Sequence, residues 1–228
     1  MVKLSRPANP AQMSPLSNCL LYGILDLGYV TLEDCQRTAE AMIEGGIDIL
    51  QLRAKGYPAS TIKTVAAFLS PLVGDIPFII NDHPELVVET RATGFHVGQS
   101  DLPLNPARTL AGSEALAGRS THSLAQAQAA YAEGADYIGF GPLFATPTKP
   151  GRRPIGLSGI REVHQTVSLP IFCIGGIKRE NLPTILEAGA RRVVIVSGIL
   201  QAADISAYCR ECKDILKHFQ SITPEGIV

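Results

Sequence analysis

Short apolar runs alternate with longer amphipathic stretches along almost the whole chain. Residues 20–26 form an apolar run. Thr31 then stands where it can cap a helix reaching Glu44, and Gly45-Gly46 stops it. Residues 47–53 read as a second strand and 58–72 as a second helix. Residues 77–81 are a third strand, followed by a short helix from Pro84. Residues 95–98 give a fourth strand and 106–110 a helix. Residues 116–120 make a weak fifth strand, and 125–133 a clear helix. The sixth strand is 136–140, after which a loop rich in Gly, Pro and Thr runs to Gly156. Helix 158–167, strand 170–174, helix 181–188, strand 192–196 and helix 204–219 complete the pattern.

The eight strand starts lie about 25 residues apart, the size of one strand-loop-helix-loop unit. Eight such units predict a single-domain α/β fold, a (β/α)8 TIM barrel of near-minimal length. An open doubly wound sheet also alternates strand and helix. Here no G-x-G-x-x-G follows the first strand. Glycines recur where a helix must end before the next strand, at Gly45-Gly46, Gly134 and Gly189. The barrel is expected over 19–220, between a poorly ordered N-terminal tail at 1–18 and a C-terminal tail at 221–228. Residues 1–18 are rich in Pro, Ser and Asn and lack the apolar core of a signal peptide.

Composition narrows the class. Hydrophobic residues make up 46% of the 228, enough to fill a large core and exclude a disordered chain. The 20 Lys and Arg against 21 Asp and Glu leave a net charge of −1, which argues against binding nucleic acid through bulk charge. No apolar run approaches a membrane span. Five scattered cysteines do not make a secreted disulfide framework. Cys209 and Cys212 form a C-x-x-C without a second ligand pair, so neither zinc nor redox chemistry is expected there. A cytoplasmic enzyme acting on small molecules is the expectation, with no nucleic-acid or membrane partner. A homo-oligomer is compatible with the sequence but not specified by it.

Polar residues gather at strand ends, where barrel enzymes build their sites. After the second strand, alternation places Gln51, Arg53 and Lys55 on one side, an anion clamp or a solvated strand end. Asp82 and Asp101 follow the third and fourth strands. They suit a hard cation such as Mg2+, or they cap a helix and a turn. Ser120 and His122 follow the fifth strand, but their spacing is no evidence for a catalytic triad, and Ser123 can cap the next helix. Thr146, Thr148 and Lys149 occupy the loop 142–156, which suits phosphate binding and a lid. Gly175-Gly176 after the seventh strand and Val196-Ser197-Gly198 after the eighth are expected to cradle a phosphate with backbone N–H groups. A side chain at position 176 would enter the path of that phosphate. Two anion sites facing one barrel mouth suit a pyrophosphate or phosphoryl leaving group with a metal ion.

These residues resemble the thiamine-phosphate synthase family, sister to the thiazole tautomerases. The resemblance runs from about Tyr22 to Ile199. It is carried by Q-L-R-A-K at 51–55, I-N-D at 80–82, H-V-G-Q-S-D at 96–101 and S-T-H-S at 120–123. G-P-L-F-A-T-P-T-K at 141–149, I-G-G-I at 174–177 and V-S at 196–197 complete it. Cys173, before I-G-G-I, Gly198, in V-S-G-I, and Arg119 depart from the usual pattern without touching the metal or pyrophosphate set. The resemblance implies condensation of 4-amino-2-methyl-5-hydroxymethylpyrimidine pyrophosphate with (carboxy)hydroxyethylthiazole phosphate, giving thiamine phosphate and pyrophosphate. It implies that Gln51, Arg53, Lys55 and Asn81 hold the pyrimidine pyrophosphate. Asp82 and Asp101 would bind Mg2+, Ser120 would contact the pyrimidine, and Lys149 the pyrophosphate. Thr146, Thr148, Gly176, Val196 and Ser197 would hold the thiazole phosphate. Arg53, Lys55, Ser120 and Lys149 would be the catalytic set. The tautomerases keep the phosphate site and the S-x-H-S but generally lack the full clamp. A non-catalytic phosphate sensor would need only the strand seven and eight site, leaving the clamp without a purpose.

Overall fold

The computed structural model describes residues 16–146, 148, 151 and 153–222. Eight parallel strands close into a barrel in chain order: β1 (Leu21–Asp26), β2 (Ile49–Arg53), β3 (Phe78–Asn81), β4 (Gly94–Val97), β5 (Leu116–Thr121), β6 (Tyr137–Phe140), β7 (Ile171–Cys173) and β8 (Val193–Ile195). The circle closes where Tyr22 of β1 pairs with Val194 of β8. The helices are α1 (Cys35–Glu44), α2 (Ala59–Leu69), α3 (Val87–Thr90), α4 (Leu104–Ala111), α5 (Leu124–Ala132), α6 (Ile160–Thr166), α7 (Leu182–Glu187), α8 (Ser197–Leu200) and α9 (Ile205–Ile222).

Two apolar layers hold the barrel. The larger lies between strands and helices and contains Leu50, Leu52, Ile80, Phe95, Val97 and Ile138. The smaller fills the interior with Leu16, Tyr22, Ile24, Ile49, Ile79, Tyr137, Phe172 and Val194. Strand alternation sorts them: even residues of β1 and odd residues of β2 face inward, in the register Tyr22 to Ile49, Ile24 to Gln51 and Asp26 to Arg53. Polar Gln51, Arg53 and Asp26 thus occupy the upper interior, above an apolar floor.

Three expectations shift. The fifth strand is not weak: β5 spans six residues, as many as β1. Its small residues Ala117 and Gly118 carry little hydrophobic signal, and the neighbouring strands bury them. Thr31 does not cap α1. Its hydroxyl donates to the Asp34 carboxylate and accepts from the Asp34 N–H, closing a turn before the helix starts at Cys35. Ser123 does cap α5, accepting from the Gln126 N–H. The expected tail 1–18 falls mostly outside the described residues, but Leu16 is buried inside the barrel. At the other end, Ser221 and Ile222 belong to α9, and residues 223–228 lie outside the described part.

Candidate active site

A cleft of about 930 Å³, counted to its open mouth, lies at the carboxyl ends of the strands. Gln51, Arg53, Asn81, Ser120, Thr146, Thr148, Gly176, Val196 and Ser197 all line it. The ends of six different strands and the loops that follow them therefore deliver the expected residues to one place.

On the β1–β2 side, Arg53 is buried against a carboxylate. Its Nη1 donates to Asp26 Oδ2 at 2.6 Å, and the two side chains are 11% and 2% exposed. The other Asp26 oxygen accepts from the Gly28 N–H at 3.0 Å. A buried guanidinium needs such a partner, and the pair fixes where its remaining donors point. The interior below carries a line of hydrogen bonds. Gln51 Nε2 donates to Tyr22 Oη at 2.6 Å, and Tyr22 Oη lies 3.1 Å from Tyr137 Oη. Tyr137 Oη is 3.3 Å from His96 Nδ1, and His96 Nε2 is 2.9 Å from Ser120 Oγ. Burial pushes both tyrosine hydroxyls well above their ordinary pKa, so they stay protonated.

The β6–β8 side is built from backbone. Gly175 and Gly176 have φ of +99° and +65°, a region glycine enters without strain. The β6–α6 loop lies on this turn, through Leu143 N–H to Ile174 O at 2.9 Å and Phe144 N–H to Gly175 O at 3.0 Å. The loop is also tied across the mouth, where Thr148 Oγ1 meets Tyr29 Oη at 3.0 Å. Ser197 opens the short helix α8, an element the sequence pattern did not suggest. His122 lines the cleft with its Nδ1 donating to the Gly141 carbonyl, so this nitrogen carries the ring proton.

Other expected residues stand apart. Lys55 is exposed and outside the cleft lining, because β2 ends at Arg53 and a turn follows, closed by Tyr57 N–H to Ala54 O. The alternation that would align it with Gln51 and Arg53 stops with the strand. Asp82 and Asp101 flank the end of β4 but do not line the cleft. Asp82 donates its N–H to His96 O at 2.8 Å, and Asp101 accepts from the Gly98 N–H at 2.6 Å, as a turn cap does. Among the described residues, no group of three or more His, Cys, Asp or Glu is gathered as a metal site. Lys149 lies outside the described residues. All five cysteines are buried and none is in a disulfide, and burial pushes the Cys209 and Cys212 thiols up to about 12, so both stay protonated. The residues missed from the sequence are Tyr22, Asp26, His96 and Tyr137. Period-two reading of L-Y-G-I-L-D puts Tyr22 and Asp26 on one face, and that signal could have found them.

The family model for thiamine monophosphate synthase matches residues 21–199. The thiamine-phosphate synthase of Gloeobacter violaceus is 45% identical over 162 residues, 70% of this chain and 47% of the relative. That of Shouchella clausii is 41% identical over 190 residues, 82% of this chain and 91% of the relative. The chain thus spans about half the length of several curated relatives and nearly all of others. Among solved structures, the thiamine phosphate pyrophosphorylase of Pyrococcus furiosus superposes with a TM-score of 0.80 at 28% identity, covering 90% of this chain and 98% of that one.

Proposed function

The chain belongs to the thiamine-phosphate synthase family, and we propose that it joins 4-amino-2-methyl-5-hydroxymethylpyrimidine pyrophosphate to hydroxyethylthiazole phosphate or its carboxylated form. The observation that carries this reading is the shape of this cleft. An arginine and amides stand on its β2–β3 side, and a glycine-lined turn and a serine on its β7–β8 side. Such a cleft suits two phosphorylated ligands with their reacting carbons meeting between them.

The methylene–oxygen bond of the pyrimidine substrate breaks, and the electron pair leaves with pyrophosphate. The aminopyrimidine stabilises the cation that forms, and the thiazole nitrogen supplies the pair for the new carbon–nitrogen bond; the carboxylated thiazole then also loses CO2, and the carbon that carried it takes up a proton. No protein nucleophile enters this chemistry. Arg53, oriented by Asp26, would oppose the growing leaving-group charge, with Lys55 reaching in from the turn outside the cleft lining and Lys149 from the β6–α6 loop, while Gln51, Asn81 and Ser120 orient the ring. Thr146, Thr148, Gly176, Val196 and Ser197 would keep the thiazole phosphate in place.

Asp82 and Asp101 fit Mg2+ in one respect: two hard carboxylates beside β4 suffice when pyrophosphate oxygens and water supply the remaining ligands. Bound Mg2+ would neutralise pyrophosphate charge. Five buried cysteines, none in a disulfide, support a reducing compartment such as the cytoplasm.

The test is release of pyrophosphate and thiamine phosphate on mixing both substrates with Mg2+. No release from the folded chain sinks the synthase reading. Undiminished release in excess chelator sinks only the metal assignment. The tautomerase reading draws on His122, whose Nδ1–H is engaged at Gly141 and whose Nε2 is therefore the basic nitrogen. It expects isomerisation of the carboxylated thiazole phosphate without any pyrophosphate formed.

A further inference from the structure

The interior hydrogen bonds form a chain with one direction. Gln51 Nε2 donates to Tyr22 Oη at 2.6 Å. Tyr22 accepts there, and the direction that uses its single proton runs to Tyr137 Oη, 3.1 Å away. Tyr137 in turn donates to His96 Nδ1 at 3.3 Å. An Nδ1 that accepts carries no proton, so neutral His96 is protonated at Nε2, which faces Ser120 Oγ at 2.9 Å. Ser120 Oγ accepts there, and its own proton is turned to the cleft that it lines.

We propose that Tyr22, Tyr137 and His96 are positioning residues that set Ser120 as a hydrogen-bond donor into the cleft, selecting a substrate ring with an acceptor nitrogen at that point. The inference deepens the synthase reading and rests on it. The Ser120 backbone is held independently, since Gln99 Nε2 donates to its carbonyl at 2.7 Å, so the chain governs the hydroxyl. Room for the chain is built into β5. A Cβ at Gly118 would fall 2.2 Å from the Tyr137 ring and 2.5 Å from His96 Nδ1. A side chain there would displace the two links that carry the direction across the barrel. The two rings also pack, with centroids 5.5 Å apart, and Tyr137 meets Phe172 edge-on at 5.9 Å. Removing the Tyr137 hydroxyl therefore leaves the packing in place. In the reverse direction Tyr22 Oη would accept from both Gln51 and Tyr137, its own buried proton would go unused between the two rings, and His96 would be protonated at Nδ1. Ser120 would then offer only an acceptor.

Two measurements test this. Nitrogen-15 histidine labelling of the full chain, with the His96 signal identified by its absence in His96→Gln, reads the tautomer without any substrate. The Nε2–H form is expected, and a protonated Nδ1 overturns the proposal. The second compares binding of the aminopyrimidine pyrophosphate with its two pyridine analogues, each with C–H in place of one ring nitrogen. Wild type should bind one analogue about tenfold more weakly than the pyrimidine. Tyr137→Phe and Tyr22→Phe should reduce that difference to about twofold, leave the thiazole phosphate Kd unchanged, and weaken the tautomer preference. Undiminished discrimination in either folded variant overturns the proposal. A wild type that releases no pyrophosphate defeats the synthase reading instead, and the tautomer result stands apart from it.

Discussion

Arg53 can sit in the barrel because Asp26 lies opposite it in the β1–β2 register. Asp26→Ala would leave a buried guanidinium without its partner, at a cost of about 3 kcal/mol. The expected result is a lower urea midpoint and weaker pyrimidine pyrophosphate binding together; a change in neither would mean that Arg53 is held some other way. His164 is a different case. Its Nε2 is buried with no hydrogen-bond partner among the described residues, and burial, reinforced by Arg191 and Arg192, lowers its pKa to about 4. The unfolded chain takes up this proton near pH 6.5, whereas the fold refuses it until about pH 4. Within that window the unfolded state binds more protons, so acid favours unfolding. Stability should fall by ~2 kcal/mol from pH 7 to pH 5 on this account, and His164→Gln should flatten the slope. Urea midpoints of both proteins at the two pH values decide it.

Among elements, the β7–α7 turn and the β6–α6 loop act together. A Cβ at Gly176 would not simply enter the phosphate path: it would lie 2.7 Å from both Ala145 O and Phe144 Cβ, on a backbone with φ of +65°. Gly176→Val should therefore displace the loop that carries Thr146 and weaken thiazole phosphate binding at least about tenfold. Binding of the pyrimidine pyrophosphate should change less than about twofold, since Gln51 and Arg53 belong to β2 across the barrel. Calorimetry with each ligand on a variant shown folded by circular dichroism makes the comparison, and equal losses would mean one shared anion site. The same scale explains what the sequence made legible. All eight strands could be placed because apolar runs recur at a regular spacing. Their alternation put Gln51 and Arg53 on one face, yet could not say that β2 stops at Arg53, which removes Lys55 from that face. The strength of β5 and the purpose of Gly118 depend on Tyr137 and His96, partners that only barrel closure brings near. His96 stood inside a quoted motif without a role, because its hydrogen bonds reach to β5 and β6. Leu16 looked like tail because a lone apolar residue among polar ones has no period.

Across the whole molecule, the two ends of the barrel divide stability from chemistry. The cleft lies at the carboxyl end, while the amino end is stapled by Asp48. Its Oδ2 accepts from the Leu20 and Leu21 N–H groups at 2.7 and 2.9 Å, and its Oδ1 from Lys213 Nζ of α9. Lys213 Nζ also donates to Gly46 O at 3.3 Å. One carboxylate thus ties the entry to β1, the α1–β2 turn and the last helix, where the circle of strands closes. The pair is largely buried, at 11% and 21% side-chain exposure, so removing the ammonium leaves a carboxylate short of one partner in a poorly solvated place. Lys213→Ala should cost about 3 kcal/mol in urea unfolding. None of the groups it touches lines the cleft, so kcat/KM for pyrophosphate release should stay within about twofold of wild type at temperatures where the variant is folded. A large fall in kcat/KM with an unchanged urea midpoint would contradict the division. It would mean that the position of α9 is transmitted through β1 to Asp26 and Arg53 at the far end of the same strand pair, and that the barrel wall is less rigid than its packed interior implies.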